Sequence, residues 1–494
     1  MRDMKQAYDS EVDVHFGNLE HEHLSLQPVK QSKMPSRQVN PDSPSPFDGL
    51  QNLRPELPYP NAALSYWHRT TRGFPYLRAN ETGPLPATMP YAIIGSGLSG
   101  ALTAFELIQA GVRPDEILIL EAREAVSGST GRNAGHVRPD ACSGFNDYAA
   151  IHGADEALHI VNNERVVLTS VQQFVQKHNI DCDFQPKQTF DVCLTREIAQ
   201  DEMDNVEQYA NAGGSLDHIK LHEADAAKFR TGVRDALTAW EWPAASIHPV
   251  KLAQWLLTDS IEKGCRLYTN SPVSQVTRGE NGKWDIHTDR GVVAAGRVIH
   301  CTNAYAGALL PQLSPMLLTP IKVQMHSLIP TQAFSGSNVL KTSMALRYEK
   351  HRYYALTQMA VDGMIIFGVA KPSGFTFDET SYTDELVMEG LEKFDSLFPR
   401  ADYQKKRHGE GLDHAWSGLI AMTPDKVPYI GEIDGFEGQF ICAGFNGHGM
   451  ARIFSCVPGL VKLMLGGSWQ DTKLPESFRY SHGRLDKALA GFGP

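Results

Sequence analysis

Three glycine-rich stretches hold the residues whose types and spacing can do chemistry. The first is Gly95-Ser96-Gly97-Leu98-Ser99-Gly100, a G-x-G-x-x-G pattern. Gly95 permits a tight turn, Gly97 lets the backbone approach a pyrophosphate, and Gly100 lets a helix pack closely on a strand. Glu121 follows 21 positions after Gly100, with Ala122 and Arg123 behind it. A carboxylate there accepts hydrogen bonds from adenosine ribose hydroxyls and disfavours a 2′-phosphate, which argues against NADP. The second stretch, Ser127 to His136, is dense in glycine and small polar residues. The backbone N–H groups of such a loop can bind a second phosphate and a ribityl chain, which a plain NAD domain does not need. Its candidates are Ser129, Thr130, Arg132, Asn133, Gly135 and His136. The third stretch is Gly444-Phe445-Asn446-Gly447-His448-Gly449-Met450. Alone, each pattern also fits a structural turn.

The flanking elements decide the reading. Tyr91 to Ile94 is a short buried strand, and Leu98 to Gly111 a helix with apolar residues at helical spacing. Ile117 to Glu121 is a second strand. This strand–helix–strand unit is built for a parallel sheet, and places the phosphates at a helix N-terminus. Residues 154–178 form a long helix, and 248–264 an amphipathic helix started by His248-Pro249. A hairpin turns at Glu280 to Lys283, and GRVIHCTNAY, residues 296–305, is a buried strand. Strands and loops dominate 311–408. A strand, a glycine turn and a helix close the body near 439–465.

The chain has 494 residues, enough for two or three domains. Net charge is −11 and there is no basic block, so nucleic acid is not an expected partner. No run reaches the roughly 18 apolar residues that span a bilayer. The best candidate, Phe454 to Leu465, contains Lys462. Membrane partners are therefore not expected. The start has no signal-peptide core and the end no peroxisomal address, so a cytoplasmic location is expected. Seven scattered cysteines without a CxxC pair read as reduced, buried thiols and not as a metal site. No metal is expected. Residues 1–60, polar and Pro-rich, are expected to be a disordered tail.

GSGLSG, LEARE, SGSTGRNAGH, IHCTNAY, MTPDKVPYIG and CAGFNGHGM together resemble the D-amino-acid oxidase-like flavoproteins, which include glycine and sarcosine oxidases. The Ser65-Tyr66-Trp67 lead-in and TGRNAGH are most similar to the γ-glutamylputrescine oxidase-like and fungal branch. The resemblance spans about residues 64–470. It implies an α/β fold: a discontinuous Rossmann-like FAD-binding domain (88–178, 247–310, 412–470) plus an α+β substrate domain (179–246, 311–411). The substrate domain would have a mixed, largely antiparallel sheet. It implies FAD, an amine or amino-acid substrate, and oxidation of a C–N bond. Asn303, Gly444, Asn446, Gly447, His448, Gly449 and Met450 would pass beside the flavin. The helix from Met450 would turn its N-terminus to the ring and stabilise negative charge there.

Two departures bear on chemistry. Sarcosine oxidases attach FAD to a cysteine just before the TPD segment; here Ser417 to Ala421 holds none, so FAD is expected to be non-covalent. His136 is the remote alternative attachment point. Sarcosine oxidases also place a lysine after the GHG turn, where this chain has Met450-Ala451-Arg452, so a carboxylate anchor is not assured. Expected substrate contacts are Arg352, Tyr353, Tyr354 and Trp416, with Arg347 as a further cation. Expected catalytic residues are His448, His414 and, for oxygen, Lys322. Molecular oxygen would reoxidise the flavin, giving hydrogen peroxide. A dehydrogenase with another acceptor, a tailoring oxidase for a bulky amine, and a non-catalytic flavin protein stay open.

Overall fold

The computed structural model describes residues 53–350, 352–370, 375–399 and 407–490, without the side chains of 281, 370 and 490. The first 52 residues, most of the stretch expected to be disordered, lie outside these. Residues 53–60 do not follow that expectation. Leu53 and Leu57 pack against buried clusters of the body, and Pro55 lies against Gly307. Two leucines are enough to seat an extended proline-rich strap whose composition alone reads as solvated.

Two sheets organise the body. The first runs Tyr429–Glu432, Gln439–Ala443, Gly291–His300, Thr88–Ile94, Ile117–Leu120, Arg266–Tyr268. Its four central pairings are parallel. Ile93 packs on one side beneath helices Leu98–Gln109, Pro249–Glu262 and Gly449–Met464. Ala92 and Ile94 pack on the other, against the hairpin strands Val273–Arg278 and Trp284–Thr288. Strands buried on both faces read as continuous apolar runs, as YAII and ILIL do.

The second sheet has nine strands among the described residues. It runs Gly411–Met422, Thr319–Ile329, Ile365–Ala370, Arg352–Gln358, Ser343–Glu349, Gln185–Cys193, Thr238–Ser246, His136–Val137, with Lys220–Glu223 also beside Thr238–Ser246. Most pairings are antiparallel; Ser343–Glu349 and Gln185–Cys193 run parallel. Gly411–Met422, expected with the first domain, is the edge strand of this second sheet. One face of the sheet packs on helix Asp384–Leu397 through Tyr354, Leu356, Phe367 and Phe394. The opposite face carries Tyr353, Ala355, Gly368 and Met325, which border a cleft shared with the first sheet. All seven cysteines are buried and unpaired. No helix among the described residues is long and apolar enough to cross a membrane.

Candidate functional site

The cleft's empty space, with open solvent at its mouth included, is about 1720 Å³. Its floor is the glycine turn after the first strand. Gly95 has φ 105°, and its N–H donates to Leu120 O at 2.8 Å. A Cβ on Gly100 would lie 1.9 Å from Gly95 O, so the helix can sit this close only without one. Gly97 is the N-cap of Leu98–Gln109 and offers no side-chain cap. Thr130 Oγ1 accepts from Leu98 N at 2.9 Å and ties the second glycine stretch to this helix end. Gly95, Gly97, Leu98 and Ser99 line the cleft; Gly100 acts behind it, as packing.

Glu121 and Ala122 stand on the cleft wall. The Glu121 carboxylate is already engaged. Oε2 accepts from Ser96 N at 2.9 Å and Ser96 Oγ at 2.7 Å, and Oε1 from Arg123 N at 3.1 Å. Ser96 Oγ in turn accepts from Val126 N at 3.0 Å. Glu121 thus organises the turn as well as facing the cleft, and Ser96, one of the unspecified positions of the motif, is its main partner.

The second stretch lies over strand Gly411–Met422. Ser129 Oγ donates to Leu419 O at 3.0 Å, Arg132 Nη1 to Ser417 O at 3.0 Å, and Trp416 Nε1 to Arg132 O at 2.9 Å. Its outer side is clasped by the short helix Tyr66–Arg69. Trp67 Nε1 donates to Asn133 O at 2.8 Å and Ser65 Oγ to Gly131 O at 2.5 Å. Gly131 and Gly135 leave room for His68 and Trp67, whose rings a Cβ would strike. His68 is held neutral there: burial, then Arg132, pushes it down to about 3. Ser129, Thr130, Arg132 and Asn133 line the cleft; Gly135 and His136 do not.

Arg123 and Arg132 both line the cleft and share one buried carboxylate that no motif announced. Glu379 stands 2.7 Å from Arg123 Nη1 and 3.5 Å from Arg132 Nε, and accepts from Tyr305 OH at 3.0 Å. All four side chains are buried. Burial pushes the Arg132 guanidinium down, with Glu379 opposing. Glu379 sits far along the chain in a loop without a local signature, so only the folded contact identifies it.

The late glycine turn begins at Gly444, whose N–H donates to Asn303 Oδ1 at 3.1 Å. Asn446, at φ 55°, accepts from Thr423 N at 2.8 Å and donates to Gly444 O at 2.7 Å. Asn303, Gly447, Gly449 and Met450 line the cleft, while Gly444 and Asn446 pin the turn from behind. His448 is the N-cap of Gly449–Met464 without capping it by side chain. Its Nδ1 lies 3.2 Å from Glu164, which also accepts from Arg452 Nε at 2.7 Å and Asp140 N at 2.7 Å. Burial pushes the Glu164 carboxyl up, but His448 and Arg452 outweigh it and hold it at about 2. Arg452 is thus a buried partner of Glu164 and Tyr148.

The second-sheet wall departs from five expectations, three of them through strand parity. Tyr353 lines the cleft, but Tyr354 points to the opposite face, stacks on Phe367 and donates to Glu389 at 3.1 Å. Arg352 shares that parity, is half-buried, and pairs with Glu349 at 2.9 Å. Lys322 likewise misses the cleft; its neighbour Val323 lines it, while Lys322 Nζ meets Ser381 Oγ at 3.5 Å. Trp416 is fully buried under the second glycine stretch and pins Arg132. His414 lies outside the cleft lining with Nε2 2.5 Å from Leu64 O. Residues with no sequence signal also enter the wall: Met325, given room by Gly368, and Leu57 and Pro58 of the strap.

Two helix N-termini without side-chain caps therefore open into one cleft, where glycines keep the backbone bare. Such ends carry partial positive charge and free N–H groups. That donor set fits a diphosphate at the first end and the electron-rich edge of a flavin at the second. The fold and site define a two-sheet flavin-dinucleotide oxidoreductase. Residues 91–456 match the family described as FAD dependent oxidoreductase (DAO), and the chain belongs to that family. Its cofactor is FAD. Among curated relatives, γ-glutamylputrescine oxidoreductase of Escherichia coli (strain K12) is 23% identical over 372 residues, 74% of this chain and 80% of that protein. Glycine oxidase of Pseudomonas aeruginosa is 24% identical over 379 residues, 76% of this chain and 94% of that protein. Among solved structures, L-proline dehydrogenase from P. horikoshii shares the fold with a TM-score of 0.61 and 21% identity, covering 80% of this chain and 98% of that one.

Proposed function

We propose that this oxidoreductase oxidises the C–N bond of an amine or amino acid and passes the electrons to molecular oxygen. The observation that carries the reading is the pairing of two uncapped helix N-termini with a wall of Tyr353, Ala355 and Met325 across one cleft. FAD, held non-covalently, supplies the two-electron acceptor, and its organic chemistry needs little from the protein beyond orientation and electrostatics. The glycine turns at 95–100 and 444–449 hold it. Arg132 and Thr130 fix the loop between them.

The neutral amine loses one hydride and one proton and becomes an imine. Water then converts the imine to a carbonyl compound and releases ammonia or an amine. Oxygen takes up the two electrons and two protons as hydrogen peroxide. Tyr353 walls the substrate side, and Met325 and Ala355 exclude water from it. His448 stays fixed by Glu164 at the N-terminus of the closing helix.

The amine reading draws support from the curated relatives, several of which are named for amines or amino acids. The acceptor is open to one specific rival, because dehydrogenases stand among the same relatives and fold neighbours. The test is an oxygen-uptake assay over a panel of amines and amino acids. An oxidase consumes one oxygen and yields one peroxide per carbonyl formed. Turnover with a dye acceptor but no oxygen uptake makes it a dehydrogenase. Turnover with neither, across the panel, overturns the amine reading.

A further inference from the structure

Part of the cleft's lining belongs to neither sheet. Leu57 and Pro58 line it, yet they sit on the strap of residues 53–64, which carries neither helix nor strand. The strap precedes the stretch 91–456 that matches the family. It is tied on both sides of Leu57. Before it, Leu53 packs against the buried cluster that holds Tyr305 and Leu310, and Pro55 lies against Gly307. After it, Arg123 Nη1 donates to Tyr59 O at 3.4 Å, and Ala63 N donates to Glu379 O at 3.3 Å. Pro55, Pro58 and Pro60 each fix φ, so little chain freedom is left between these ties.

Glu121 marks the end of the cleft at which the strap crosses. A carboxylate at the end of the second strand of such a unit meets the adenosine ribose, and the base lies beyond that ribose. Leu120 immediately precedes Glu121. Ile94, Leu120, Val273 and Leu309 line the cleft and belong to one apolar cluster, and Leu57 packs against that cluster. Arg123, two positions after Glu121, is the residue that holds the strap at Tyr59. Met325, Tyr353 and Ala355 of the second-sheet wall are not part of this cluster.

A purine base is flat, uncharged and apolar on both faces, and apolar side chains that replace water on those faces favour its burial. Leu57 and Pro58 bring no charge and no side-chain donor. We infer that the strap is a cofactor-selecting cover: Leu57 and Pro58 bury the adenine ring, so that chain outside the family's domain holds FAD through its adenosine half and disfavours a flavin that lacks it. The strap takes no part in the oxidation. The inference rests on FAD as the cofactor and is independent of the amine reading.

The test uses the full-length, FAD-loaded protein. It is equilibrated with rising amounts of FMN, which lacks the adenosine half, and the bound flavins are counted. In Leu57→Ala the FMN excess that displaces half of the FAD should fall about tenfold, the factor for losing most of one buried leucine side chain. A strap that serves only the fold would loosen both flavins alike and leave that excess unchanged, which overturns the inference. A second measurement needs no variant. The unmodified protein, loaded with an FAD analogue that carries a photoreactive azido group on the adenine ring, is irradiated, and the label should appear in the peptide that holds residues 53–64. Label confined to other peptides overturns the cover even if Leu57→Ala does not fold. A protein that takes up no FAD overturns it together with the cofactor on which it rests. Neither experiment reads turnover, so failure of the amine reading leaves both results intact.

Discussion

The two walls of the cleft are built on different principles. On the glycine wall the backbone does the binding, and side chains such as Thr130, Glu121 and Asn446 hold that backbone in place. On the second-sheet wall the side chains face the substrate, and which ones do so is set by strand parity. The first wall is tightly backed: Gly95, Gly100, Gly131 and Gly135 all have neighbours within 3 Å of a built Cβ. The second contains an inward tyrosine, Tyr353, and a pliable methionine, Met325. A backbone site is fixed by what must be absent, a side-chain site by what happens to point inward. Substrate choice can therefore diverge on the second wall while the cofactor wall stays the same.

This contrast predicts the largest losses on the glycine wall. Glu379→Gln leaves Arg123 and Arg132 buried together without their carboxylate. It should cost about 3–5 kcal/mol in denaturant unfolding, the range for breaking a buried ion pair from one side. Gly100→Ala places a Cβ against a backbone carbonyl that cannot move aside. A loss of about 3 kcal/mol and of bound flavin should follow, read as the ratio of flavin to protein absorbance.

A pH dependence tests the same wall. Glu164 titrates at about 2 in the fold against an ordinary 4.5. Its stabilisation is complete above about 4.5 and is lost as pH falls toward 2. The difference is on the order of 3 kcal/mol. Urea midpoints at neutral and acid pH should therefore converge for Glu164→Gln relative to the unmodified protein, because the variant has no such carboxylate to protonate.

Smaller effects belong to the second wall. Trp416→Phe removes one hydrogen bond to Arg132 O and should cost about 1 kcal/mol while leaving substrate KM unchanged. Arg352→Ala, on the outward face, should change stability by no more than about 0.5 kcal/mol and leave KM alone. A KM change in Arg352→Ala would contradict the parity assignment.

The same contrast explains what could be read from the sequence. The glycine patterns carry their geometry in their spacing, so the turn at 95–100 and the loop after Glu121 were legible, together with the family. Tyr353 and Tyr354 were not separable. Both faces of the second sheet are buried, so alternation between apolar and polar residues, the usual signal of strand orientation, is missing there. Tyr354 is even more buried than Tyr353, yet it faces the wrong core. Glu379 had no signal, because its arginine partners lie more than 240 residues earlier in the chain. The strap misled because leucines at 53 and 57 are sparse in a proline-rich stretch and act only when the body is folded.

The most direct measurement is the absorbance spectrum of the purified protein before and after anaerobic addition of amines and amino acids. The account predicts a yellow protein with one FAD per chain, bleached by an amine or amino acid. A colourless protein that FAD cannot reconstitute would contradict the cofactor wall, and a yellow protein that no amine or amino acid bleaches would contradict the assigned reaction.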